Sequence, residues 1–501
     1  MSQIRFSLKC KSLSTSLRQD LRFQSKKTIK EAVKPTAFPA IYELGPAFYD
    51  EVSAASFPKP QLRYRNQDAA HSLGLGDLSA EAWQGHFCEF KSLPQNITQP
   101  LALRYHGHQF QSYNPDLGDG RGFLFAQFLS AGKLMDLGTK GSGQTPYSRR
   151  GDGRLTLKGA FREILATEML ESLGVNTSKT FSVFETGESL ERHDEPSPTR
   201  GGILVRLNHS HIRYGTFQRL AFLGEAENMQ KLIDYCIRHF YPELGPYNKE
   251  EQIFLFLKKV SEQAAKTAAG WMMAGFVHGV LNTDNMNITG ESFDYGPFRF
   301  LPTYDPHFTA AYFDHSGLYA YGRQPTTVLW NLSQLGKALQ LASPNIDIDE
   351  ALADFGDHFN FAVQERLLVR LNLRNPLEDE AGAQALTQDL IIHLFKFLEQ
   401  TKALFEQSFF DLHSGISDER LARSPQSELY KHSTFAALRE TLDSFEVLDL
   451  AKQQHPYFKS NKACSMLIDE LESIWLPIAE RDDWTLFESK LQAIRGFRDL
   501  Y

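Results

Sequence analysis

The sequence predicts an α+β fold in which a β-rich region holding one helix precedes a region that is almost wholly helical. Three observations carry that expectation. Between residues 101 and 207, short apolar runs at 123–128, 134–139, 179–185 and 202–207 are punctuated by glycine. One amphipathic helical pattern interrupts them over 159–173. Beyond about residue 330, apolar residues recur at helical spacing in long stretches, 346–371, 383–407, 436–451 and 464–478.

Taken in order, residues 1–36 form a basic segment, in whose first thirty residues Arg5, Lys9, Lys11, Arg18, Arg22, Lys26, Lys27 and Lys30 stand among serines with Asp20 as the one acid. Such a segment has two readings: a frayed N-terminus on a cytoplasmic protein, or an organellar transit peptide on a mitochondrial one. Its poor amphipathic pattern favours the first. Residues 37–100 mix proline, aromatic and short helical stretches without periodicity, and read as an extension wrapped over a larger core.

Residues 101–214 form the β-rich unit. Its helix places Phe161, Ile164, Leu165, Met169 and Leu173 on one face, and Gly174 supplies the stop. Residues 215–342 hold a longer helix at 251–274, with Ile253, Leu257, Val260, Ala264, Ala268 and Trp271 along one side, running into the polar stretch 278–287. Residues 343–501 make a helical C-terminal region, with no internal repeat and no low-complexity linker before it.

Composition narrows the function. At 501 residues and 42% hydrophobic content the chain can bury two or three cores, since domains run to about 100–200 residues. The net charge of −8 is mild and the basic residues are scattered, so nucleic acid is not the expected partner. Cys10, Cys88, Cys236 and Cys464 lie too far apart for metal-ligand spacing or a disulfide framework, which suits a reducing compartment. No apolar run approaches the roughly 20 residues that span a bilayer, and no secretory signal opens the chain, so no membrane association is expected.

The chemistry concentrates in four stretches. The first, DLGDGRG at 116–122, precedes a strand; its alternating glycines let backbone N–H groups approach an anion, and Arg121 adds a bidentate phosphate contact. On its own such a stretch reads better as an ordinary Gly-rich hairpin turn, and Arg121 within it is what favours the anion site. The second, MDLGTK at 135–140, delivers Lys140 from a strand, and Glu163 follows on the next helix. That is the order of the ion pair with which protein kinases hold ATP phosphates. The third, YSRRGDGR at 147–154, is another basic glycine loop. Arg206 and Arg213 extend the set, and with Arg121 and Lys140 they carry more positive charge than one diphosphate needs, which suits a triphosphate.

The fourth stretch is the most specific: HGVLNTDN at 278–285, then DYG at 294–296, with a short β-hairpin expected between. A kinase catalytic loop ends in a metal-binding Asn, and the Asp of its Asp-Phe-Gly motif ligates the same metal. Asn285 and Asp294 offer oxygen ligands suited to Mg²⁺ or Mn²⁺. Val280 stands two residues after the His, where a kinase has its base Asp. Asp284 is then the one carboxylate in the loop able to take a proton from an incoming hydroxyl. The order of these parts predicts a protein-kinase-like two-lobed core over about 101–342, carrying the N-terminal extension and the helical C-terminal region.

From residue 37 onward the chain resembles the selenoprotein O family of kinase-fold protein adenylyltransferases. The resemblance is carried by HGHQF (106–110), NPDLGDGRG (114–122), KGSGQTPYSRRGDGR (140–154), REILATEML (162–170), SHIRYGTF (210–217), GFVHGVLNTDNMNI (275–288), DYGPF (294–298), YDP (304–306) and QPTTVLWNL (324–332). It implies that ATP binds in the reverse of its kinase orientation, with the α-phosphate facing the acceptor and pyrophosphate leaving. It implies further that Gly118, Gly120, Arg121, Lys140, Asp152, Gly153, Arg206, Arg213 and Asp294 bind the nucleotide. By the same resemblance Asp284 is the general base, Asn285 and Asp294 hold Mg²⁺ or Mn²⁺, and Glu163 positions Lys140.

The expected reaction is transfer of AMP from ATP to Ser, Thr or Tyr hydroxyls of proteins. Unlike selenocysteine-containing members, the stretch 496–501 has neither Cys nor selenocysteine, so terminal redox chemistry is not expected. Two alternatives stay open: an ordinary kinase-type phosphotransferase using the same Lys140, Asn285 and Asp294, and a catalytically inert scaffold that binds nucleotide to hold its shape.

Overall fold

A computed structural model of the chain describes residues 34–193 and 195–501. The basic stretch from Arg5 to Lys30, with Cys10, lies outside the described residues. Nine strands form one antiparallel sheet: β1 (Thr36–Ala37), β2 (Tyr49–Glu51), β3 (Gln61–Arg65), β4 (Leu101–Leu103), β5 (Leu124–Ser130), β6 (Lys133–Lys140), β7 (Leu155–Thr156), β8 (Lys179–Leu190) and β9 (Thr199–Asn208). Their spatial order is β2-β4-β5-β6-β9-β8-β3, with β1 beside β5 and β7 beside β9.

Turn chemistry sets the register that the site depends on. Ala131 and Gly132, at φ 49° and 79°, join β5 to β6 in two residues, and this mirror-image turn matches the twist of the strands. β6 then runs against β9 with Lys140 opposite Leu204 and Gly138 opposite Arg206. Side chains alternate along a strand, so Lys140 and Arg206 emerge on the same face.

Residues before β4 do more than wrap the core: they supply three strands and two short helices, Gln67–Ser72 and Ala80–Phe87, which cover one face of the sheet. Trp83, Phe87, Phe125 and Phe181 interlock beneath those helices. The other face receives α1 (Leu157–Ser172), started by Thr156, whose hydroxyl accepts from the Gly159 N–H at 3.1 Å. The main core continues through α2 (Tyr214–Leu223), α3 (Ala226–Phe240), α4 (Lys249–Met273), α5 (Gln324–Leu339), α6 (Phe355–Leu371) and α7 (Glu380–Thr401). α4 begins at Asn248, whose side chain accepts from the Glu251 N–H at 3.1 Å, and packs against α5 and α6. Finally α8 (Ile468–Arg481) and α9 (Thr485–Arg495) fold back onto α1. The chain is an α+β protein.

Three expectations change. The helical tail is cut into shorter pieces than its periodicity suggests, because both sides of each break face one core and keep the same apolar rhythm. Ile348–Leu352 is separate from α6, Lys402 at φ 54° ends α7 before the helix Phe405–Asp411, and Ser433–Leu442 gives way to a strand, Glu446–Val447, paired with Leu373–Arg374. Near 464–478 the helix starts late, at Ile468, where Asp469 and Glu470 complement its N-terminal dipole. Nor does a hairpin form between Asn285 and Asp294: Asn287 bridges to Arg213 and Ser292 to Thr177, so this stretch is tied to two distant segments instead of to itself. Among the described residues no helix is long and apolar enough to cross a membrane.

Candidate active site

The end of β6, the start of α1, the end of β9 and the loop after α4 converge on a cleft of about 1160 Å³, somewhat larger than the ~300–1,000 Å³ typical of ligand pockets. Every residue proposed above for nucleotide, metal or proton transfer lines this cleft. At its centre lies Asp294. The Lys140 ammonium is 2.7 Å from Asp294 Oδ1, Arg206 Nη1 donates to the same oxygen at 2.8 Å, and Arg213 Nη2 is 3.5 Å from Oδ2. Burial opposes ionisation of Asp294, but these three cations outweigh it and hold the carboxyl well below the ordinary range.

Each cation is positioned by its own element. Lys140 also donates to Glu163 Oε2 at 2.6 Å, the strand-to-helix pair that residue order alone suggested. Arg206, 3% exposed, lies over the Phe293 ring at 4.8 Å. Arg213 precedes α2, stacks on Tyr105 at 4.4 Å, and donates to Asp119 Oδ1 at 3.1 Å. Asp119 in turn accepts from the Leu103 N–H at 3.1 Å. Sequence reading passed over Asp119 and Tyr105, although a carboxylate set between the glycines of an anion-binding loop was the available signal for the former.

The central charges are therefore matched: Lys140, Arg206 and Arg213 face Asp294, Glu163 and Asp119. The surplus of positive charge expected from the sequence sits at the rim, where Arg121, Arg149 and Arg150 line the cleft with no carboxylate in ion-pair contact among the described residues. Asp152 is also at the rim, its carboxylate accepting from Arg192 at 2.9 and 3.2 Å.

The glycines serve packing as much as access. A Cβ on Gly118 would lie 2.3 Å from the Tyr147 ring, and one on Gly153, at φ 68°, would lie 2.2 Å from the Gly143 carbonyl oxygen. Gly120 is likewise closed by the Tyr147 carbonyl at 2.8 Å. The two glycine loops are thus stacked on each other along the cleft wall.

The loop after α4 is locked from both sides. The His278 Nε2–H donates to the Phe293 carbonyl at 2.9 Å, and burial keeps this imidazole below its ordinary pKa and so neutral. The His278 backbone N–H donates to Gln324 Oε1 at 3.0 Å. Thr283 donates to Gln218 at 2.6 Å and accepts from the His108 N–H at 2.7 Å, while the Tyr319 hydroxyl donates to Asn282 at 2.7 Å. These contacts hold Asp284 and Asn285 at the cleft. Asp294 itself sits at φ 66°, a conformation that non-glycine residues rarely hold and that clusters at functional sites.

Asp284 has the environment of a proton acceptor. Burial is the main influence and pushes its carboxyl up to about 7; Oδ1 is buried with no hydrogen-bond partner among the described residues. Asn285 donates its amide N–H to the Val280 carbonyl at 2.9 Å, which leaves the amide oxygen as the group able to meet a cation. Among the described residues there is no cluster of three or more His, Cys, Asp or Glu able to hold a metal. Asn285 and Asp294 offer oxygen donors of the kind that a small hard cation takes alongside phosphate and water.

The family model for protein adenylyltransferase SelO matches residues 32–495. Proteins named protein nucleotidyltransferase YdiU are similar along most of the length. That of Synechocystis sp. is 41% identical over 467 residues, covering 91% of this chain and 97% of its own. That of Trichormus variabilis is 41% identical over 473 residues (91% and 95%), and that of Gloeobacter violaceus 42% over 469 residues (91% and 94%). The chain belongs to the SelO family of protein adenylyltransferases and is a nucleotidyltransferase.

Proposed function

We propose that this enzyme moves AMP from ATP to Ser, Thr or Tyr hydroxyls of proteins, with Mg²⁺ or Mn²⁺ as cofactor and pyrophosphate as the leaving group. The observation that carries the reading is the convergence of Lys140, Arg206 and Arg213 on one carboxylate beside a buried, partnerless Asp284 oxygen. Asp284 accepts the hydroxyl proton as the acceptor oxygen bonds to the α-phosphorus. The bond from that phosphorus to the bridging oxygen breaks, and pyrophosphate carries the electron pair away. A base whose pKa lies near neutrality suits this transfer.

Lys140, Arg206 and Arg213 meet the charge that grows on the departing pyrophosphate, where preorganised donors act most strongly. Glu163 holds Lys140 in line. Asn285 and Asp294 would bind the cation, whose chemistry is to neutralise phosphate charge. The kinase-like core, with the nucleotide reversed, is part of this proposal. So are nucleotide contacts from Gly118, Gly120, Arg121, Asp152 and Gly153 at the rim.

Intact-mass measurement of candidate acceptor proteins after incubation with ATP and Mg²⁺ or Mn²⁺ tests the reading. A gain of one AMP residue supports it. A gain of one phosphoryl group contradicts it and favours the kinase alternative.

A further inference from the structure

We infer that α8 and α9 set the position of α1, and through it of Glu163 and Lys140, which makes Arg495 and Arg498 positioning residues for the nucleotide site. The inference rests on the reading of Lys140 as a phosphate ligand. α1 is held from end to end by side chains of the last thirty residues. At its first turn the Lys158 ammonium pairs with Glu472 at 2.7 Å. One turn on, the Phe161 ring meets Trp475 and Phe487 at 5.4 and 5.5 Å between centroids. Towards its C-terminal end Glu168, 2% exposed, accepts from Arg495 Nε at 3.0 Å and Nη2 at 2.8 Å, and from Arg498 and the Tyr64 hydroxyl.

The helix behaves as a strut between these contacts and the cleft. Lys158, Phe161 and Glu168 share one face, and Glu163 lies about half a turn round from them, facing Lys140. Glu163 has little else to fix it. Its Oε1 is buried without a hydrogen-bond partner and lies 4.0 Å from Arg206, so its place is set by where the helix backbone stands. Glu168 is the firmest of the outer attachments: burial opposes its ionisation, but Arg495, Tyr64 and Arg498 prevail and hold its carboxyl below the ordinary value. With the arginines removed, a buried carboxylate loses its cationic partners and keeps only the Tyr64 hydroxyl, and the end of α1 is released from α9.

The test uses the full-length chain and four forms: wild type, Arg495→Ala/Arg498→Ala, Glu163→Gln, and the triple combination, each measured for kcat and KM with ATP. The double variant is expected to lose roughly tenfold to a hundredfold in kcat/KM, the scale of small misplacements at a reacting centre. In the Glu163→Gln background that loss should vanish, because the arginines act through Glu163. Equal losses in both backgrounds overturn the inference, since general destabilisation adds where positioning does not; so does wild-type activity in the double variant. Full activity in Glu163→Gln itself is a different result and overturns the reading of the site. Should the double variant not fold, Arg495→Lys serves instead: it keeps the cation but not the paired N–H contacts. A smaller loss that again vanishes with Glu163→Gln supports the inference, and no loss overturns it.

Discussion

Arg206→Ala removes a guanidinium that is 3% exposed, donates to Asp294 at 2.8 Å and lies 4.8 Å over the Phe293 ring. Asp294 keeps Lys140 at 2.7 Å and Arg213 at 3.5 Å, so the carboxylate is not stranded. The loss to folding is then about 1.5–3 kcal/mol, that of one hydrogen bond to a charged group. Turnover should suffer more. A preorganised donor that meets developing charge contributes about 2.7–4 kcal/mol, or roughly 10²–10³ in kcat. If pyrophosphate leaves toward Arg206, the charge grows in the transition state, and kcat falls by more than nucleotide binding weakens. Steady-state kinetics, direct titration of nucleotide and a melting curve separate the three effects. A raised KM with kcat unchanged, in this variant and in Arg213→Ala alike, would refute the role of these arginines in pyrophosphate departure.

Asp284→Asn removes the proton acceptor and keeps the shape, so turnover should drop by about 10²–10⁴ while nucleotide affinity stays within a few-fold of wild type; unchanged turnover would remove Asp284 from the mechanism. Burial pushes Glu291, whose ordinary pKa is 4.5, up to about 7. The folded state then keeps a proton that the unfolded chain has lost, so stability falls as pH rises through that window. Glu291→Gln, neutral throughout, should gain up to about 3 kcal/mol relative to wild type between about pH 5 and pH 8. A melting-temperature difference that does not change with pH contradicts this. Gly118→Ala places a methyl where the Tyr147 ring lies 2.3 Å away, which should displace the 147–154 loop and weaken nucleotide binding with little change in fold stability; wild-type affinity would show that the loops need not stack.

Much of the site was legible in the sequence because its parts are local signals in a fixed order. Lys140 at a strand end, Glu163 on the following helix and the Asp284, Asn285 and Asp294 stretch each announce themselves within a few residues of a glycine or a helix boundary. The structure brings the Lys140 ammonium within 2.6 Å of Glu163 and 2.7 Å of Asp294. What was not legible depends on distant segments. Asp119 matters through Arg213, 94 residues away. The stretch between Asn285 and Asp294 looked like a hairpin, but Thr177 and Arg213 take up its backbone. The tail read only as helical, since its attachment at Glu168 spans 327 residues to Arg495, and no periodicity encodes a partner so far off. Positive charge was countable, but which cations are already matched by carboxylates was not.

The most direct measurement of the central claim is the transfer of label from ATP to an acceptor protein, with the label at the α-phosphate in one sample and the γ-phosphate in another. Adenylylation predicts incorporation from the α position alone, dependent on Mg²⁺ or Mn²⁺ and lost in Asp284→Asn. Incorporation from the γ position, with none from the α, contradicts it.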